Sequence, residues 1–179
     1  KFSVGSESLS LIDLDFQEVA GRDVISEQLE SFSWLRDLAA AASREKGARL
    51  AEAILGRWLI AHGSRIDQAW APHLWGERIL YWTAYAPYIL SSGDGGYRSA
   101  LLNTLARGAR HLDGNADKAP AGLKRVTAWC GVVAAGLLVQ GGVPRVARGE
   151  AGLARALAGA QFEDGGLVSR SPFEQLLLV

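Results

Sequence analysis

A chain of 179 residues, 49% hydrophobic and 21% charged, is long enough to bury one substantial core and too apolar to be disordered. Its single cysteine excludes an intrachain disulfide and a Cys-rich zinc site, and no run of about 18 apolar residues free of charge offers a membrane span. The 19 Lys and Arg balance the 19 Asp and Glu, but unevenly: residues 1–30 hold seven acids and two bases, residues 98–155 nine bases and three acids. Such a basic segment attracts an anionic polymer through its summed field, and it equally suits the solvated face of ordinary helices.

The sequence starts at Lys1 and contains no methionine, so it is expected to be a processed or cloned piece. KFSVGSESLS shows no basic-then-apolar leader. In residues 1–30, SLSLIDLDFQEV alternates apolar and acidic residues like an extended strand. Residues 1–30 are therefore read as a partly irregular lead-in segment and residues 31–179 as a helical domain.

Helical periodicity starts near Ser31. FSWLRDLAAAAS puts Phe32, Leu35 and Leu38 on one face. REKGARLAEAILGRWLIAHG spaces Leu50, Ile54 and Trp58 by four, continues through Ala61 and closes on Gly63 as a C-cap. HLWGERILYWTAYAPYIL predicts a strongly apolar helix with Pro87 near its last turn, and SSGDGG a loop. YRSALLNTLARGARHL predicts a helix striped by Leu101, Leu105 and Ala109, followed by the loop DGNADKAPAG.

LKRVTAWCGVVAAGLLV is apolar nearly all round and should be central, ended by GGVP. Its Cys130 reads as a small core residue or, more sharply, as a reactive thiol. PRVARGEAGLARALAGAQF predicts an Ala-rich helix and EDGGLVSR a turn-rich strand or loop. In SPFEQLLLV, Ser171 is the expected N-cap, Pro172 the first helical residue and Glu174 the partner in a capping box. About seven helices on short loops, without a repeat period, predict an all-α array of antiparallel hairpins. Bundle, solenoid and toroid stay open on these grounds.

Three stretches, in order, resemble the heparinase II/III-type polysaccharide lyases. LESFSWLRDL (29–38) is similar to the opening of that family's helical domain. WAPHLWGERILYW (70–82) is similar to its Trp and Pro pattern followed by Arg-x-x-x-Trp, here Arg78 and Trp82. EDGGLVSRSP (163–172) is similar to its Asp-Gly-Gly turn and Arg-Ser-Pro helix start. The resemblance implies an incomplete α/α toroid, a C-terminal β-sandwich domain missing from this chain, and a periplasmic or secreted location, with a cytoplasmic one left open.

It also implies β-elimination on an acidic, uronic-acid polysaccharide. That reaction needs the carboxylate neutralised, a base at C5 and an acid at the leaving oxygen. The family's Asn-His pair falls on Leu123 and Lys124, and its Tyr near Glu174, so the helical half of the usual catalytic set is replaced. The alternative is a non-catalytic carbohydrate-binding or structural helical domain derived from the family.

The candidate catalytic residues are Lys124, able to neutralise a carboxylate from a helix N-terminus or simply solvating that helix end, and His111, read as a base or substrate contact or as a helix-end hydrogen-bonding group. Arg78 and Trp82 read as an anion clamp beside a sugar-stacking ring, or as an internal ion pair with packing Trp. Arg125 and Arg170 read as anion ligands or as anchors of a helix end and a turn. Trp70 and Trp75 flank a loop as sugar-stacking candidates, whereas Trp34, Trp58 and Trp129 belong to the core. His62 and His73 lack carboxylate spacing, so no metal is assigned, and no cofactor is expected in this chain. SGDGG and EDGG lack the strand–loop–helix setting of a phosphate loop, and no nucleic-acid partner is expected. An unrelated helical interaction scaffold explains the composition but not the three ordered motifs.

Overall fold

The computed structural model describes residues 2–4, 7–9, 14–16 and 23–177. Helices dominate, as the periodicity requires. They are α1 (Asp23–Ser31), α2 (Trp34–Ala41), α3 (Arg44–His62), α4 (Pro72–Ala84), α5 (Ala86–Ile89), α6 (Gly95–Asn115), α7 (Leu123–Leu138), α8 (Pro144–Ala160) and α9 (Pro172–Leu177). A short ribbon precedes them: β1 (Phe2–Val4) pairs antiparallel with β2 (Glu7–Leu9), Phe2 opposite Leu9. Much of the alternating stretch expected to be extended, residues 10–13 and 17–19, lies outside the described residues. Among the described residues no helix is long and apolar enough to cross a membrane.

Two boundaries differ from the sequence expectation. Helix begins at Asp23, eight residues before Ser31, because Ile25 and Leu29 already form a buried i, i+4 pair. The single helix expected over residues 73–90 is two, α4 and α5, parted at Tyr85. Pro72 opens the first, where a missing N–H costs nothing, while Pro87 cannot donate back to Thr83 and ends the run.

The chain divides into two compact units, one of residues 1–70 and 81–105, the other of residues 71–80 and 106–179. In the first, the core is aromatic. Phe32 takes a left-handed backbone, φ 63°, between α1 and α2, and its ring sits 5.4, 5.8 and 5.3 Å from those of Trp34, Trp58 and Trp82. A non-glycine residue pays about 1 kcal/mol for such a φ. Burying the whole ring, 0% exposed, offsets that. Asp94 caps α6, its Oδ1 accepting from the N–H groups of Gly96 and Tyr97 at 2.8 and 3.1 Å.

The second unit packs helix on helix through glycines. A Cβ on Gly76 of α4 would fall 2.3 Å from the Thr127 carbonyl oxygen of α7, and one on Gly131 2.4 Å from the Gly76 Cα. Along the α7–α8 pair, Gly136 meets Val146, Gly149 meets Val133 and Gly152 lies under the Trp129 ring, an antiparallel register. Helix α7 buries eight of its residues, as its all-round apolarity predicts, although Leu137 and Leu138 at its end are exposed. The EDGG segment is a tight turn: Gln161 bridges Leu167, and Gly165 takes φ 84°. The Ser171 hydroxyl accepts from the Glu174 N–H at 3.3 Å, the expected N-cap of α9.

Candidate functional site

Three of the sequence-predicted polar residues, His111, Lys124 and Arg125, lie in the second unit at the corner where α6 turns into α7. His111 and Asn115 stand one helical turn apart on the last turns of α6. The Asn115 amide donates to the His111 carbonyl at 2.7 Å and lies 3.4 Å from the His111 Nδ1. The Lys118 ammonium donates to the Asn115 Oδ1 at 2.8 Å, so His111, Asn115 and Lys118 form one chain of contacts. Asp117, in a single 3-10 turn over Ala116–Lys118, accepts from the Trp129 indole at 2.9 Å and ties this turn to α7.

Gly122 then takes φ 87°, a conformation that favours glycine, and α7 starts at Leu123. Lys124, its second residue, is exposed, at the end where the helix macrodipole is positive. Arg125 donates through Nε and Nη2 to the Ala119 carbonyl at 3.0 and 2.9 Å, which makes it the anchor of the 119–122 turn. The corner thus offers two exposed ammonium groups, a helix N-terminus and a half-exposed imidazole. That combination suits a carboxylate or sulfate.

Other expectations are corrected by burial. Arg78 is fully buried, its guanidinium carbon 5.2 Å over the Trp75 ring, so it is part of the packing and no surface clamp. Trp82 is 2% exposed within the aromatic core of the first unit. Trp70 is also 2% exposed, its indole N–H donating to the His62 carbonyl at 2.8 Å. Trp75 is fully buried, and its ring fills the space a side chain at Gly108 would need. None of these three indoles presents an open face for sugar stacking. Arg170 is exposed with φ 53°, its N–H on the Leu167 carbonyl, at the 161–171 turn. Cys130 is half-buried, and burial pushes its thiol up, which favours the core reading over the reactive one.

Sequence reasoning passed over Asn115 and Lys118, although their i+4 and i+7 spacing from His111 was visible. It also missed a buried relay in the first unit. The His62 Nδ1 lies 2.8 Å from the Asp67 Oδ2, and its Nε2 3.6 Å from the Glu30 Oε1, while the Glu30 Oε2 accepts from the Trp58 indole at 2.5 Å. The Phe16 ring closes edge-on over the imidazole at 6.1 Å. Glu30 and Phe16 are far from His62 in sequence, so local spacing does not announce them, although Asp67 follows it by five residues. Among the described residues no group of three or more His, Cys, Asp or Glu is placed to hold a metal ion. The chain matches no protein-family model, no curated protein and no solved structure.

Proposed function

We propose that this chain is a substrate-cradle helical domain that binds an acidic, uronic-acid glycan through the corner formed by His111, Lys118 and Lys124. The observation that supports it is the exposed Lys124 at the positive end of α7, following a turn in which Lys118, Asn115 and His111 are linked. The charge of the second unit agrees, with ten Lys and Arg against seven Asp and Glu. Lys118 and Lys124 meet the carboxylates, and Arg125 holds the turn that carries them.

The same reading extends to the parent protein as a heparinase II/III-like lyase, with these helices as part of an incomplete α/α toroid and a β-sandwich domain supplying further groups. There the C5 proton goes to a base, for which His111 is the imidazole at hand, the carboxylate charge is carried by Lys124, and the C4–O bond breaks as the leaving oxygen takes the proton from the imidazolium so formed. The replaced Asn-His and Tyr positions support the alternative for the isolated chain, a glycan-binding domain without catalysis. Retention of the chain on immobilised polygalacturonate, released by salt, is the expected result, and passage without retention at low salt contradicts binding. Absorbance of an unsaturated uronate product separates the two forms of the reading: its appearance establishes elimination, and its absence with binding retained leaves the non-catalytic domain.

A further inference from the structure

The α7–α8 hairpin ends in an apolar tip that lies open to solvent. Leu137, Leu138 and Val143 are 68%, 60% and 77% exposed, and Pro144 beside them is exposed as well. Across residues 137–144, LLVQGGVP, Gln140 is the one polar side chain. Aliphatic chains grouped in water are unfavourable, and such a group marks a surface that meets something else. The backbone of the tip is already engaged within itself. The Val139 N–H donates to the Ala135 carbonyl at 3.1 Å, Gly142 to Val139 at 2.9 Å, Arg145 to Gly142 at 2.7 Å and Val146 to Val143 at 3.1 Å. Gly141 reverses the chain at φ 74°, and Pro144 has no N–H to satisfy. A turn bonded in this way can enter an apolar medium without stranding those donors.

The charge behind the tip is positive. No acid lies between Asp117 and Glu150, a stretch that holds Lys118, Lys124, Arg125, Arg145 and Arg148. Arg145 and Arg148 stand one turn apart near the start of α8, and both reach Asp113 on α6. Arg145 meets the carboxylate at 3.0 and 2.9 Å, whereas exposed Arg148 donates to the backbone carbonyl, which leaves its charge uncancelled. Arg110, also exposed, lies one turn before Asp113 on α6. Glu150 is the one acid of α8 and falls about 140° round the helix from Arg145. Aliphatic chains at a hairpin end, with guanidinium groups just behind them, match a bilayer of anionic lipids. The chains enter the acyl boundary while the guanidinium groups meet phosphates. A protein partner instead rewards aromatic anchors or a helical stripe, and residues 137–146 hold no aromatic and form a turn.

We propose that the α7–α8 tip is a peripheral docking site for an anionic membrane surface, with Leu137, Leu138 and Val143 entering the interface and Arg148 and Arg110 on lipid phosphates. It requires no membrane-spanning helix and does not depend on the glycan reading. The test is sedimentation of the full chain with vesicles of phosphatidylcholine and phosphatidylglycerol at about two to one, and with vesicles of phosphatidylcholine alone. Binding to the mixed vesicles is expected, with binding to phosphatidylcholine alone weaker by about tenfold. Leu137→Ser with Leu138→Ser should weaken binding about tenfold, and Arg148→Ala about fivefold. All three residues are exposed, so helix content by circular dichroism should be unchanged. Val143→Ser, on the far side of the turn, repeats the test should the double variant lose helix content. Equal binding to both vesicle types, or none to either, overturns the assigned surface. Unchanged binding in the serine variants leaves adsorption by charge alone and overturns insertion of the tip. A chain that is dimeric in sedimentation velocity and monomeric once Leu137 and Leu138 are replaced makes the tip a contact between copies, which also overturns the proposal.

Discussion

The two units reach interior density by opposite routes. The first fills its core with large rings, Phe32, Trp34, Trp58 and Trp82 packed edge to face, and secures a buried carboxylate and imidazole among them. The second brings helix backbones together over glycines and lays single indoles, Trp75 and Trp129, across Gly108 and Gly152. Both satisfy the close packing a protein interior requires. They should therefore fail under opposite substitutions: the first when a side chain shrinks, the second when one grows.

The largest effect is expected for Trp58→Ala. It empties a fully buried ring site and removes the indole N–H on which the Glu30 carboxylate relies. A loss of about 3–5 kcal/mol follows from the cavity alone. Chemical denaturation followed by far-UV circular dichroism measures it, and a loss below 1 kcal/mol would contradict an aromatic core. The opposite change, Gly152→Ala, puts a Cβ 2.3 Å from the Trp129 Cδ2 and should cost about 2 kcal/mol through overpacking. Equal stability in that variant would mean that α7 and α8 do not approach as described. Next comes Asp67→Asn, which replaces the carboxylate 2.8 Å from the His62 Nδ1, with an expected loss of about 1.5 kcal/mol. The smallest effect serves as the control: Gly56→Ala, in the interior of α3 with nothing within 4 Å of the new Cβ, should stabilise by about 0.5–1 kcal/mol. If Gly56→Ala destabilised as much as Gly152→Ala, glycine packing would not distinguish the two units.

Much of this was legible in the sequence because helices announce themselves locally. The stripes through Ile54 and Trp58, through Leu101 and Ala109, and through α7 fall on buried faces, and Ser171 caps α9 through its own neighbour at Glu174. What local spacing does not carry is which apolar face meets which. Trp70 and Trp75 flank a loop in sequence and so resemble exposed stacking rings. In the fold, a His62 carbonyl eight residues away and a glycine at 108 receive them. Arg78 is misread for the same reason, since a charge is expected at the surface until a ring such as Trp75 is found beneath it. The polar corner is half legible: Lys124 and His111 stand out as charges at helix ends, whereas Arg125 turns out to be committed to the Ala119 carbonyl.

The most direct test of the glycan reading reverses charge at that corner. Titration of the chain with a galacturonic acid hexamer should show salt-sensitive binding that Lys118→Glu with Lys124→Glu abolishes, while the melting temperature stays within a few degrees, because Lys118 and Lys124 are both exposed. Unchanged binding in the charge-reversed chain would contradict it.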